Sequence, residues 1–505
     1  MNQSQPGETP GSPPPVPPLS TSVFRGTLWT IAMRWVIRFV GLISLTIVAR
    51  LLDKQDFGLV AVANAIAALP FAVLDLGLET AIIRDPDTSP GVYDTAFSIR
   101  VTQTTIAAAI VLLFGRPIAR FYGDPRIIQI IPILALSIWV LGLENTWIVW
   151  FRRNLNFRVD FAYNAGVKAG MAAISIALAF YLRSYWALVY AQLAGGVLRI
   201  ALSHVIAPRF PRPTFSHWRG LWSFAQWNLV RNLADYAAVN VDRLILGRVT
   251  TAGEVGAYTL GREIADVPLT EISAPANRAL GPGIAKLQQE PKRLAQALTQ
   301  ALGAVAIAAC PLGLGLAAVS PAAVPLLLGK GWSAAVPIVQ LLALSSLVGA
   351  LRGILGYALT ITGRYRSVAT LQWVRALALV IAGIPAAFLA GPLGMAAAFG
   401  VSELATCGLQ AIYYRRYMPD FTPSSLLAAI KRPVLASLTM LVIVIALQRL
   451  SLPSLLAQLS LEVTGGALVY AAVLLGLWRF SGRPKGPESV LLSQVQSFWS
   501  VVSRA

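Results

Sequence analysis

From about residue 22 onward this chain is a succession of apolar stretches, each near the roughly 20 residues that a helix needs to cross a bilayer. That repetition limits the fold more than any motif does. Fourteen stretches can be drawn, the first at about 27–49, the second at 57–83, the seventh at 221–246, the eighth at 254–281 and the last at 459–479. Twelve spans result instead if one pair is misdivided. Only 12% of the 505 residues are charged, against about 25% in soluble domains. The sequence therefore predicts an all-α polytopic membrane protein whose solvent is the lipid bilayer.

With the N-terminus placed in the cytoplasm, the inner segments carry twenty-one Lys and Arg residues and the outer loops nine. This is the direction of the positive-inside bias, and it puts both ends in the cytoplasm. A formal charge of +19 on a soluble protein would suggest nucleic acid. Here the basic residues are scattered singly between apolar runs without a binding signature, so no nucleic-acid partner is expected. Cys310 and Cys407 lie inside apolar runs and read as small core residues. His204 and His217 are far from any carboxylate cluster, and no nucleotide-binding P-loop is present. No catalytic residue, metal or cofactor is expected, and the chain is not expected to be an enzyme.

The first twenty residues hold seven prolines and are expected to be a disordered tail, with no cleaved signal peptide after them. Arg50 and Gly58 after the first span are matched by Arg248 and Gly256 after the seventh, at an offset of 198. Leu134-Ala135-Leu136-Ser137 is echoed by Leu342-Ala343-Leu344-Ser345 at an offset of 208. These echoes imply two six-helix bundles in parallel orientation, a plan that transporters use. The expected divisions are a tail at 1–20, a bundle at 21–207, a cytoplasmic linker at 208–220, a second bundle at 221–417 and an extra helix pair at 418–482. The tail at 483–505 reads equally as an interfacial helix or a frayed end.

A charge at the bilayer centre costs roughly 2.5–3.5 kcal/mol on insertion scales, yet charges concentrate in the first, second, seventh and eighth spans. Arg34 and Arg38 are one turn apart, as are Asp75 and Glu79, Arg231 and Asp235, and Arg262 and Asp266, so each pair shares a helix face. One reading is that these are salt bridges that only offset each other. The other is a cleft between bundles in which Arg34, Arg38, Arg231, Arg262 and Arg352 receive a mobile anion, since the arginine fork suits phosphate oxygens. Asp75, Glu79, Asp235, Asp242 and Asp266 would then hold the arginines or couple a cation. Most aromatic residues near Trp147 and Trp222 read as interfacial belts.

Asn240, Asp242, Arg243 and Gly247, followed by Gly256 and Tyr258, resemble a motif of Wzx-like oligosaccharide-lipid flippases of the MOP exporter superfamily. Residues 49–58 are its counterpart in the first half, and Thr362, Gly363, Arg364 and Tyr365 look like the family's loop between the tenth and eleventh spans. The resemblance extends over about 22–480 and places Asp242 and Arg243 on the family motif. It implies a V-shaped pair of bundles in a bacterial inner membrane, with the first, second, seventh and eighth helices lining the cleft. It implies as substrate an undecaprenyl-diphosphate-linked oligosaccharide, moved to the outer leaflet for O-antigen or exopolysaccharide synthesis. Partners would be that lipid-linked glycan, the bilayer, and assembly proteins such as a polysaccharide polymerase. Two alternatives stay open: a MATE-like exporter of organic cations, and a membrane-bound polysaccharide polymerase or ligase.

Overall fold

The computed structural model describes residues 19–84, 89–418, 421–450, 452–483, 486 and 488, with side-chain surroundings except at 19–32, 84, 219–231 and 423. The proline-rich residues 1–18 and, apart from Glu488, the segment 487–502 lie outside the described residues. Among the described residues every regular element is helical. The first half contains α1 (Leu19–Leu51), α2 (Lys54–Leu74), α3 (Leu78–Arg84), α4 (Pro90–Tyr122) and α5 (Arg126–Gly142). It continues with α6 (Val149–Arg153), α7 (Phe157–Leu182) and α8 (Trp186–Ile206). A proline-containing connection leads to α9 (Trp218–Val249), α10 (Ala252–Lys286), α11 (Pro291–Leu328), α12 (Val336–Ile361) and α13 (Tyr365–Tyr417). The chain ends in α14 (Pro423–Leu447) and α15 (Leu455–Phe480).

The predicted spans fall on these helices, with 57–83 divided between α2 and α3 and 127–150 between α5 and the start of α6. Nine helices of the described residues are long and apolar enough to cross a membrane, or ten when the bent α5–α6 pair is one span. The charge-bearing α1, α9 and α10 are not among the nine, though they are 33, 32 and 35 residues long. At 1.5 Å per residue each runs about 50 Å, well beyond the ~30 Å of hydrocarbon. α13 covers two of the fourteen predicted spans, at 367–390 and 392–413, and breaks between them at Ala390 and Gly391. Gly391 takes φ +54°, which glycine adopts freely, and Pro392 lacks the N–H that would continue the helix.

Surface and interior are arranged for lipid. Tyr181, Leu389 and Phe480 are exposed, whereas Glu144, Asp242, Arg262 and Glu403 are buried. Large apolar groups can face outward at no cost when the surroundings are acyl chains, and ionised groups must face inward. α1, α2, α4, α5, α7 and α8 pack among themselves, α9–α13 do likewise, and α14 and α15 lie against α11.

The halves meet most closely where α2 crosses α10. A Cβ on Gly58 would collide with the Ala252 carbonyl and stand 2.8 Å from the Gly256 nitrogen. One on Gly256 would collide with the Lys54 carbonyl and stand 3.1 Å from the Gly58 nitrogen. The two glycines matched by the internal echo thus face each other, backbone against backbone. The same end is tied by Arg50 donating to the Leu326 carbonyl and by Trp332 Nε1 donating to the Ala49 carbonyl at 2.9 Å. Deeper in, the Tyr236 hydroxyl donates to the Ala65 carbonyl at 2.6 Å, binding α9 to α2.

Candidate functional site

α10 starts with a reciprocal cap, Thr251 with Glu254, and carries charge on two faces. Glu263, Val267, Thr270 and Glu271 follow the spacing of one stripe and turn toward α1. Tyr258, Arg262 and Asp266 follow another and turn toward α9, α12 and α13.

On the first face, Arg34 Nε donates to Glu271 at 2.7 Å and Arg38 Nε to the other oxygen of the same carboxylate at 2.9 Å. Arg34 also donates to the Thr270 carbonyl at 2.9 Å and Arg38 to the Thr270 hydroxyl at 2.6 Å. Two guanidinium groups from the first half therefore share one carboxylate of the second. Beside them a cavity of about 350 Å³ opens between α1, α7, α8 and α10, bounded by Arg38, Lys168, Gln192 and Glu263. Lys168 is half-buried and Glu263 exposed, and among the described residues neither has a hydrogen-bond or ion-pair partner. Gly41 makes room for the lysine, since a Cβ there would stand 3.4 Å from its Cε. Arg34, Arg38 and Lys168 against Glu263 and Glu271 leave one positive charge in excess around the cavity.

On the second face Asp242, fully buried, accepts from Arg262 and from the Tyr258 hydroxyl at 2.8 Å. Arg262 reaches Asp266 at 3.6 Å, and Asp266 accepts from Ser346 at 2.5 Å. The Arg262 guanidinium lies 4.5 Å from the centre of the Phe399 ring, and Arg375 approaches the same ring at 5.4 Å. A buried ion pair is tolerated only with its remaining lone pairs and protons engaged, and the tyrosine, serine and ring engage several of them.

Each half also contains a buried carboxylate held by two arginines. Glu144 pairs with Arg100 at 2.7 Å and Arg199 at 2.9 Å, and accepts from the Tyr163 hydroxyl at 2.5 Å. Glu403 pairs with Arg352 at 2.8 Å and Arg375 at 2.6 Å. Arg352 stands 208 residues after Glu144, the offset of the second sequence echo, and Glu403 stands 204 after Arg199. The two halves thus carry corresponding pairs with the sign reversed.

The expected single cleft constellation is divided among these clusters. Arg38 lines the cavity and Arg34 shares its carboxylate, but that partner is Glu271 rather than Asp75 or Glu79. Arg262 is 5% exposed and engaged with Asp242 and Asp266, so it turns away from the cavity. Arg352 belongs to the Glu403 cluster, and Asp235 accepts from Gln372 at 3.0 Å. Asp75 closes the turn after α2 by accepting from the Gly77 N–H at 2.9 Å. Glu79 pairs with Arg152, which also reaches Asp160. The side chain of Arg231 lies outside the described residues. Lys168, Glu263 and Glu271, which border or buttress the cavity, were visible only as intramembrane charges.

Among the described residues, membrane-length helices enclosing buried ion clusters define a polytopic helical membrane protein. The structure aligns with a lipid II flippase, MurJ, in an inward closed conformation, with a TM-score of 0.72 over 90% of this chain and all of that one at 14% identity. It aligns with an inward-facing multidrug MATE transporter with a TM-score of 0.57 over 76% and 95%, also at 14% identity. The model of the polysaccharide biosynthesis protein family matches residues 47–337, and the chain belongs to that family. It is 26% identical to the lipopolysaccharide biosynthesis protein WzxC of Escherichia coli over 66% of this chain and 68% of that one. It is 22% identical to the teichuronic acid biosynthesis protein TuaB of Bacillus subtilis over 69% and 73%. The chain is therefore a multi-pass bacterial membrane protein, a transporter of polysaccharide biosynthesis rather than an enzyme.

Proposed function

We propose that this protein is a flippase carrying a polyprenyl-diphosphate-linked oligosaccharide from the cytoplasmic to the outer leaflet of the inner membrane, with both chain ends cytoplasmic. The observation that carries the reading is the cavity between α1, α7, α8 and α10 with its excess positive charge. A diphosphate cannot enter hydrocarbon unpaired, because an isolated buried charge costs tens of kcal/mol in a dry medium. Lys168, without a partner among the described residues, offers the first contact. Arg34 and Arg38, which each give Glu271 one Nε–H bond, then exchange its carboxylate for diphosphate oxygens, which suit the guanidinium fork. The polyprenyl tail stays in lipid, and alternating access follows from separating α2 from α10 while the bundles at 21–207 and 221–417 move as bodies. Export of organic cations would require a net acidic lining, which this cavity lacks.

The test is the sidedness of lipid-linked oligosaccharide in cells depleted of the protein. The expected result is accumulation on the cytoplasmic face, rescued by the wild-type gene but poorly by Arg34→Ala, Arg38→Ala or Lys168→Ala. Normal sidedness after depletion would refute the function, and full rescue by all three variants would refute the site.

A further inference from the structure

Thr362, Gly363 and Arg364, the turn between α12 and α13, take no part in the transport site. The turn borders a second cavity, of about 130 Å³, formed with the start of α11 and the ends of α12 and α13. By the same measure one water needs roughly 10–15 Å³, so a phosphate group fits. Gly363, at φ +74°, turns the chain so that Arg364 leads into α13. The Arg364 guanidinium is half-buried, stacks 4.3 Å from the Tyr417 ring centre and donates Nη1 to the Tyr413 hydroxyl at 3.3 Å. Its only described partners are these tyrosines, and no carboxylate lies within ion-pair distance of it among the described residues. Glu290, the acid nearest in sequence to the rim, is paired with Arg293 at 2.9 Å. Exposed Lys292, Arg415 and Arg416 belong to the same helix ends, and exposed Lys286 and Arg366 lie at the end of α10 and the start of α13.

Two features select among anions. The floor is apolar and buried, made by Leu294, Leu298, Leu359 and Met418, the rim carries exposed Tyr417, and exposed Tyr365 follows Arg364 in the chain. Aromatic side chains of this kind sit at the level of lipid headgroups. A stacked arginine over an apolar floor matches a phosphate diester attached to a glycerol and acyl chains better than a free ion. We propose that this pocket binds the phosphate headgroup of an anionic phospholipid, with Arg364 as its principal contact.

The experiment is native mass spectrometry of the full chain, purified in detergent and titrated with phosphatidylglycerol or phosphatidylcholine. Wild type is expected to take up phosphatidylglycerol preferentially. Arg364→Ala should weaken that uptake by about tenfold or more, the scale of a lost charge-assisted hydrogen bond. Arg364→Lys keeps the charge without the planar fork and should fall between them. Lys292→Ala removes the same charge outside the pocket and should leave uptake within about twofold, as for a solvated surface charge. Equal losses for Arg364→Ala and Lys292→Ala, or none for Arg364→Ala, would overturn the site. Displacement of the lipid by millimolar inorganic phosphate would overturn the lipid assignment and identify a soluble phosphate as the ligand.

Discussion

Replacing Gly256 by alanine should open the protein at the end where α2 crosses α10. The added methyl group would collide with the Lys54 carbonyl oxygen and stand 2.9 Å from its carbon and 3.1 Å from the Gly58 nitrogen. All three are backbone atoms, so no rotamer change relieves the contact and the two helices must part. Overpacking of this kind costs typically ~1–3 kcal/mol, and the ~1 kcal/mol by which alanine favours a helix over glycine applies to both open and closed states. A penalty of ~1–3 kcal/mol on the closed arrangement shifts the closed-to-open ratio by about 5–150-fold. The assay is reaction of Ser44→Cys, a cavity position, with a membrane-impermeant thiol reagent in right-side-out vesicles, with Cys310 and Cys407 replaced by alanine. Labelling should accelerate within that range in Gly256→Ala and in Gly58→Ala. Gly283→Ala is the control on the same helix, since nothing lies within 4 Å of its Cβ position. A folded Gly256→Ala protein labelled no faster than the control would refute the argument that parting α2 from α10 at this crossing opens the cavity.

The ion clusters give three further expectations. Asp242→Asn leaves the Arg262 guanidinium buried without its main partner, which should cost about 3–5 kcal/mol; a lowered thermal midpoint in detergent, partly restored by adding Arg262→Gln, would verify it. Arg352→Ala strands Glu403 with Arg375 alone, and should cut folded yield in membranes while the surviving protein keeps its transport rate per molecule. Glu271→Gln should lower transport with only a modest loss of thermal stability, because Arg34 and Arg38 are 25% and 30% exposed and can rehydrate; a thermal loss as large as that of Asp242→Asn would contradict this.

The spans were legible because hydrocarbon thickness sets a minimum length for every crossing helix, and α13 divides at Gly391, between the predicted spans 367–390 and 392–413. The shared face of Arg34 and Arg38 was legible as well, from their one-turn spacing. Their partner was not, because Glu271 follows by more than two hundred residues and helical spacing carries no information about which distant helix will pack alongside. Asp75 and Glu79 were expected, with Asp235, Asp242 and Asp266, to hold the arginines or couple a cation. The local turn at Gly77 claimed Asp75 instead, and a glycine two residues after an aspartate was the available sign. Arg262 looked like a cleft residue because it shares a charged face of the eighth span with Asp266, yet that face turns toward α9, α12 and α13, and the neighbouring Glu263, about 100° round the helix, borders the cavity.

The reversed signs of the two arginine–glutamate clusters bear on how such a chain assembles. Helices of two similar repeats emerge from the ribosome one after another, and exchange of equivalent elements is a characteristic fault of repeat proteins. Were the α8 region of the first half to dock where the corresponding part of α13 belongs, Arg199 would meet Arg352, and in the reciprocal error Glu403 would meet Glu144. Like charges facing each other away from water are strongly repelled, whereas the correct pairings attract. The duplicated halves thus keep complementarity while differing in polarity, which lets each helix recognise its own bundle during insertion.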